Sequence, residues 1–269
     1  MDATKMDDIL NDTIHLFGDE VEEDETIRYG PLVLTTAPKE GKANTLLADH
    51  LFSPSLLLAE RIERGLIPVS GTTMIELGAG CALPSLLSST LPDPPRLVVI
   101  TDYPDETILG NLRGNVERNR GAVTPGCEVR CVGYEWGSDT SSLLDLTPHH
   151  AGYATLILSD VLHFDSSHAL LLSSLTSLLA RTGEAKTYVA AGKYTAVEVC
   201  ERFLREGERR GLVWVEGGEG GGENEKEWKG SMEVRGGGLD REQLAIRKGM
   251  CRWWVGRWSD EVLRTSTNN

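Results

Sequence analysis

Met74-Ile75-Glu76-Leu77-Gly78-Ala79-Gly80-Cys81-Ala82-Leu83-Pro84 is the stretch that decides the fold. An apolar run closes on an acid, turns on two glycines and opens a helix. The proline suits a first helical turn, where its missing N–H has no intrahelical partner to lose. Downstream, Leu97-Val98-Val99-Ile100-Thr101-Asp102 repeats the theme, an apolar run ending in a carboxylate. A glycine turn after one buried strand and an acid closing the next describe the nucleoside end of a Rossmann-like site. Glycine lets a ligand approach the backbone, and the acid takes ribose hydroxyls. The rival reading, in which Gly78 and Gly80 merely shape a strand-to-helix turn, does not account for an acid falling where a ribose ligand needs one.

Outward from this unit, strand and helix patterns alternate. Strand patterns cover 73–77, 97–101, 127–132, 155–159, 188–191 and 212–215, with an aromatic strand at 250–258. Helical spacing covers 84–90, 105–119, 166–180 and 196–210, with Ile108, Leu109, Leu112 and Val116 marking one side of the second of these. Upstream, 27–35 reads as a strand or hairpin broken by Gly30-Pro31, and 45–64 as helical, interrupted by Pro54 and capped by Gly65. The expected fold is α/β: a Rossmann-like, seven-stranded, mostly parallel sheet with helices on both faces, plus an N-terminal extension. Residues 1–25 are an acidic segment expected to be mobile and solvated, with steering of a basic substrate as a second reading. Residues 26–269 are expected to form one domain with its core at 66–258. The run 216–223 is nearly all Gly and Glu and reads as a loop.

Among 269 residues, 40% are hydrophobic and 25% charged, ordinary for a soluble globular chain that buries a large core without staples. A net charge of -14 argues against a nucleic-acid backbone as main partner, since phosphate contacts need a basic face, and suits a cationic cofactor or a basic polypeptide. The five cysteines (Cys81, Cys127, Cys131, Cys200, Cys251) are an odd count without disulfide-type spacing. No signal-peptide pattern and no apolar run of membrane-spanning length is visible, so a reduced, cytoplasmic protein away from the membrane is expected.

Dinucleotide sites want a third glycine and a helix amino end facing a pyrophosphate. Here Leu83 takes the third glycine's place and Pro84 removes a backbone donor, which weakens a phosphate cradle. S-adenosylmethionine carries no phosphate, yet needs the tight turn and the ribose acid. A nicotinamide-dependent oxidoreductase therefore stands as the alternative from a different class, and a scaffold that binds cofactor without turnover as a third.

Four elements together resemble the seven-β-strand S-adenosylmethionine-dependent methyltransferases: Glu76-Leu77-Gly78-Ala79-Gly80-Cys81-Ala82-Leu83-Pro84, Thr101-Asp102-Tyr103-Pro104-Asp105, Gly133-Tyr134-Glu135-Trp136-Gly137 and Leu158-Ser159-Asp160-Val161-Leu162. More narrowly they look like the fungal nicotinamide N-methyltransferase-like branch of the lysine methyltransferase superfamily, with the likeness running from about His50 to Trp258. That branch includes an enzyme that methylates the amino terminus and adjacent lysine of elongation factor 1-alpha. The resemblance implies that Gly78, Ala79 and Gly80 line the methionine part of the cofactor and that Glu76 supports their turn. Asp102 would hold the ribose hydroxyls, Tyr103 and Trp136 would lie by the adenine, and Ser159 near the sulfonium. Asn115 matches the branch's helix after the second strand, and His168 a histidine after the fourth. Where the family carries a Leu-Trp pair in the upstream helix, this chain has Leu51-Phe52; phenylalanine keeps a stacking face and loses the indole donor.

Methyl transfer from a sulfonium is an in-line displacement by a neutral amine, helped mostly by positioning. Asp160, closing the fourth strand, is the candidate for orienting that amine, because sites in open α/β sheets gather at the strands' carboxyl ends; its bland alternative is a cap. His163 and His168 are candidate proton acceptors, though such histidines are more often packed or hydrogen-bonded. With Asp165 they make no metal set, as no cysteine is near. Trp136 has a rival reading as packing, and Trp253, Trp254, Trp258, Cys127 and Cys131 read as core. The leading reading is an N-methyltransferase of a protein amine, elongation factor 1-alpha being one candidate, with a small nicotinamide-like amine kept open.

Overall fold

In the computed structural model, which describes residues 26–217, 227–236 and 238–266, two antiparallel strands open the fold, β1 (Thr26–Tyr29) and β2 (Leu32–Thr35). Gly30, at φ +53°, makes the turn between them. Two helices follow, α1 (Gly41–Thr45) and α2 (Ser53–Glu63). Pro54 does not interrupt α2 but stands in its first turn, where proline fits. The helix ends where Gly65, at φ +69°, lets Leu66 N–H reach the Arg61 carbonyl at 2.9 Å and Gly65 N–H the Ile62 carbonyl at 3.0 Å, a Schellman cap. The acidic segment 1–25 and most of the Gly-rich stretch, 218–226, lie outside the described residues.

The alternating unit then runs β3 (Thr73–Leu77), α3 (Leu83–Ser89), β4 (Leu97–Asp102), α4 (Glu106–Arg118), β5 (Glu128–Gly133), α5 (Ser141–Leu144), β6 (Thr155–Ser159), α6 (His168–Leu178), β7 (Lys186–Gly192), α7 (Val197–Arg209) and β8 (Leu212–Glu216). It closes with β9 (Val234–Arg235), α8 (Arg241–Gly249), β10 (Cys251–Trp258) and α9 (Asp260–Ser266). A seven-stranded sheet has the order β5-β4-β3-β6-β7-β10-β8, and a three-stranded one the order β2-β1-β9. β5, β4, β3, β6 and β7 run parallel, and β10 is inserted antiparallel between β7 and β8.

Every residue of β3, β4 and β6 is buried, as continuous apolar runs require when both faces of a parallel sheet are covered. The edge strand β5 instead alternates between exposed and half-buried positions over Glu128 to Cys131 and stays half-buried to its end. Ile75, Val99, Leu156 and Leu158 pack against Leu171, Leu172 and Leu175 of α6 and Phe203 of α7. On the opposite face Met74 and Ile157 meet Leu57, Leu58 and Ile62 of α2, while Val98 and Ile100 meet Leu86 and Leu87 of α3 and Leu112 of α4. Trp254 and Trp258 are buried core, as their pattern suggests, and the half-buried Trp253 packs against the core with the Arg61 guanidinium 3.8 Å from its ring centroid.

The hairpin is fastened to α4 by side chains that imitate a strand edge. Asn119 exchanges two bonds with the Val33 backbone, each 2.8 Å. Asn115, one helical turn earlier, accepts from Thr35 N–H at 2.9 Å and donates to its carbonyl at 2.8 Å. On the other side a buried pair, Lys248 Nζ to Glu60 Oε2 at 2.7 Å, ties α8 to α2.

Candidate active site

The carboxyl ends of β3, β4 and β6 open into one cavity of about 200 Å³. Its floor is the turn after β3, where Gly78 and Gly80 have φ of +71° and +56° and Ala82 +62°. A Cβ on Gly78 would stand 3.0 Å from both Trp136 Cζ2 and Val161 Cγ1, so glycine is needed there for shape as well as conformation. Four amides of this turn are already committed. Gly78 and Ala79 N–H both donate to the Thr101 carbonyl at 3.0 Å, Gly80 N–H donates to Asp102 Oδ2 at 2.7 Å, and Ala82 N–H to the Ala79 carbonyl at 2.7 Å. Pro84, in the first turn of α3, has no N–H to offer.

Asp102 closes β4 and lines the cavity beside this turn. Its second oxygen accepts Tyr103 N–H at 2.7 Å. Burial pushes its carboxyl up, and the two backbone bonds pull it down. Since a carboxylate offers about four lone-pair positions, each oxygen retains capacity for a further donor. Ala79, Tyr103 and Trp136 line the same cavity, and Phe52 closes it from the N-terminal end of α2. Phe52 is the N-cap of that helix rather than a residue within it, and its ring lies 5.6 Å from His50 and 6.3 Å from Tyr194, centroid to centroid. Ser159, at the end of β6, shares a 2.8 Å bond with Ser55 of α2.

Asp160 follows β6 in the left-handed region, at φ +59°, and lines the cavity while nearly buried. Gly192 N–H donates to Oδ1 at 3.0 Å and the Tyr194 hydroxyl donates to Oδ2. Burial raises its carboxyl to about 6, with the Tyr194 and Gly192 bonds and the Arg247 charge opposing. His163 also lines the cavity, its ring 4.0 Å from Phe164. Burial pushes it down to about 4, and neither ring nitrogen completes a hydrogen bond, so the imidazole is neutral at neutral pH.

The remaining sequence candidates stand outside the cavity. Glu76 lies wholly buried behind the glycine turn, and neither oxygen completes a hydrogen bond, though Ser85 at the start of α3 lies close enough to favour the charged form. Burial, with Asp102 adding to it, raises its carboxyl to about 8. Asn115 is buried between α4 and the hairpin; besides Thr35 it donates to the Cys81 carbonyl at 3.3 Å, bracing the turn from behind. His168 Nε2 bonds the Leu162 carbonyl at 2.8 Å and its ring packs on Phe203, away from the cavity. Tyr194 and Arg247 escaped the sequence reading: no local pattern marks them, and only the fold brings them to Asp160. Among the described residues no group of three or more His, Cys, Asp or Glu is placed to hold a metal ion, and no helix is long and apolar enough to cross a membrane.

A sheet with one antiparallel strand beside its last position, a glycine turn after its first central strand and an acid closing the next define the Rossmann-like methyltransferase fold. Residues 43–206 match the family profile described as lysine methyltransferase, and the chain belongs to that family. It is similar to the protein N-terminal and lysine N-methyltransferase EFM7 of Gibberella zeae, 33% identical over 156 residues that cover 55% of this chain and 58% of the relative. The protein of the same name from Eremothecium gossypii is 32% identical over 174 residues, 63% of this chain and 65% of the relative. The chain thus matches between a half and two thirds of these relatives' length. In shape it is similar to a SAM-dependent methyltransferase of Streptococcus mutans, TM-score 0.51 at 11% identity, covering 89% of this chain and 57% of that one.

Proposed function

We propose that this chain is an S-adenosylmethionine-dependent N-methyltransferase that modifies a lysine side chain or amino terminus of a protein, with residues 26–269 acting as one catalytic domain. Family membership and the names of the relatives support the activity class. The observation that carries the choice of cofactor is the glycine turn, whose amides at Gly78, Ala79, Gly80 and Ala82 are used within the fold. A pyrophosphate needs such amides free, whereas a phosphate-free nucleoside does not. That disfavours the nicotinamide dinucleotide reading.

Bound in this cavity, the cofactor would supply an electrophilic methyl on a cationic sulfonium. Asp102 would accept the ribose hydroxyls, Tyr103 and Trp136 would flank the adenine, and Gly78, Ala79, Gly80, Phe52 and Ser159 would shape the methionine and sulfonium end. Glu76 and Asn115 would act from behind, by holding the turn. Asp160 would meet the substrate amine. Its charge attracts an ammonium, and its fixed direction keeps the amine's lone pair aimed along the line of attack. An α-amino group, with an ordinary pKa of about 7.7–8.0, is neutral far more often at neutral pH than a lysine amine at about 10.4, so an amino terminus loses its proton more readily. A net charge of -14 suits a basic polypeptide such as elongation factor 1-alpha, which would place the protein in the cytoplasm.

The test is incubation of the full chain with methyl-labelled cofactor and a cell lysate, followed by identification of the labelled species. Label on a protein amine, found on elongation factor 1-alpha in the same mass spectra, is the expected result. Label only on nicotinamide-like small amines would overturn the protein substrate, and no label with intact cofactor binding would make the chain a scaffold.

A further inference from the structure

Asp160 is held from outside the cavity by a hydroxyl with no part in the reading above. After β7 the chain turns at once, Thr195 N–H bonding the Gly192 carbonyl at 3.0 Å. This turn folds the Tyr194 ring back over Gly192, where a Cβ would collide with it. The ring lies beside Phe52 at the cavity's edge, and its hydroxyl reaches Asp160 Oδ2 while Gly192 N–H takes Oδ1. Both oxygens of the carboxyl are therefore tied to one short turn. Asp160 itself sits at φ +59°, a conformation that costs a non-glycine residue energy and persists only where surrounding contacts impose it.

We propose that Tyr194 is a positioning residue of the transfer reaction, its hydroxyl holding the Asp160 carboxylate charged and aimed into the cavity for the incoming amine. The proposal rests on the reading of Asp160 as the group that meets the amine. Burial works against that charge, and the Tyr194 bond, the Gly192 bond and the Arg247 guanidinium work for it. Arg247 of α8 is fixed beside them by the Leu51 carbonyl at 2.5 Å and Ser53 Oγ at 3.1 Å. The other titratable groups facing Asp160 are Cys251 of β10 and Cys200 of α7, both pushed up by burial, and His163, pushed down; all three are neutral near pH 7. The Tyr194 phenol is pushed well above its ordinary value by burial and by Asp160, so it remains a donor throughout. Removing the hydroxyl leaves Arg247 and one backbone amide to hold a buried carboxylate, and its pKa must climb toward neutrality.

The test is Tyr194→Phe, which keeps the ring. Carboxyl carbon-13 NMR of the full chain with S-adenosylhomocysteine, the resonance assigned with Asp160→Asn, is expected to show the Asp160 pKa rising by about one pH unit. An unchanged value overturns the proposal, whatever happens to activity. With the protein amine found by labelling, the acid limb of kcat/KM should move up by the same amount while S-adenosylhomocysteine affinity stays as in the wild type. Added to Asp160→Asn, Tyr194→Phe should then change nothing further. A shifted carboxyl with a pH profile that Asp160→Asn leaves untouched would overturn the reading of Asp160, and the role of Tyr194 in transfer with it.

Discussion

Replacing Glu76 with glutamine should make the protein more resistant to alkaline pH, by an amount the burial of this one carboxyl sets. Glu76 is fully buried, neither oxygen has a completed hydrogen bond, and the Asp102 charge that acts on it is of like sign. Its carboxyl stands at about 8 in the folded chain against an ordinary 4.5. A raised folded-state value means that the unfolded chain gives up this proton first. The stabilising contribution is complete below about pH 4.5, shrinks as pH rises and is exhausted above about pH 8. From the linkage relation, the contribution lost between pH 6 and pH 9 is roughly 2.5–3 kcal/mol, at 1.36 kcal/mol per unit. Glutamine has the same shape and does not titrate. Urea unfolding of both proteins at pH 6 and pH 9, compared as the difference between them so that all other carboxylates cancel, reads the effect directly. The advantage of the variant should grow by that amount across the interval. A difference that stays constant with pH would refute a neutral, buried Glu76 behind the glycine turn.

Gly78→Ala should cost roughly 1–3 kcal/mol in thermal or urea unfolding and weaken S-adenosylhomocysteine binding, because the residue sits at φ +71° and the new methyl meets Trp136 and Val161 at 3.0 Å. Lys248→Met removes the buried cation from the fully buried Glu60 carboxylate, leaving it Lys229 N–H at 2.6 Å and the Arg64 guanidinium at 3.7 Å, and should destabilise by about 3 kcal/mol; a loss below about 1 kcal/mol would mean the pair is open to water. His163, held at about 4 against an ordinary 6.5, takes up its proton in the unfolded chain first, so it removes stability as pH falls through that interval. His163→Phe should therefore lose roughly 2–3 kcal/mol less than the wild type between pH 7 and pH 4.5, and parallel losses would contradict the buried neutral ring.

The central strands were legible because each is a mostly apolar run between turn residues, interrupted inside only by Glu76 of β3 and Thr101 of β4, as a sheet covered on both faces demands. The glycine turn and its acid were legible because their chemistry is local: two positive-φ positions and a carboxylate one strand away. Other parts carried weaker signals. Helix α8 announces itself through Asp240, whose side chain accepts Gln243 N–H at 2.8 Å, and through Glu242 in its first turn and Arg247 and Lys248 in its last, a short pattern that the neighbouring Gly-rich stretch obscures. β9 is two residues long and can show no periodicity. Asn115 illustrates a deeper limit. A buried amide on a helix can face a ligand or a neighbouring strand, and only the hairpin's position, set by contacts some eighty residues away, places its side chain on Thr35 and Cys81. Tyr194 and Arg247 converge on Asp160 from a loop and a helix far along the chain, an arrangement no spacing encodes.

The placement of the cofactor's ribose is tested most directly by titrating S-adenosylhomocysteine into the wild-type chain and into Asp102→Ala by calorimetry. Loss of the hydroxyl bonds to a charged acceptor, about 1.5–3 kcal/mol, should weaken binding roughly tenfold to a hundredfold, while NAD gives no heat with either protein. Equal affinity of the two proteins for S-adenosylhomocysteine, or tight binding of NAD to the wild type, would contradict the account.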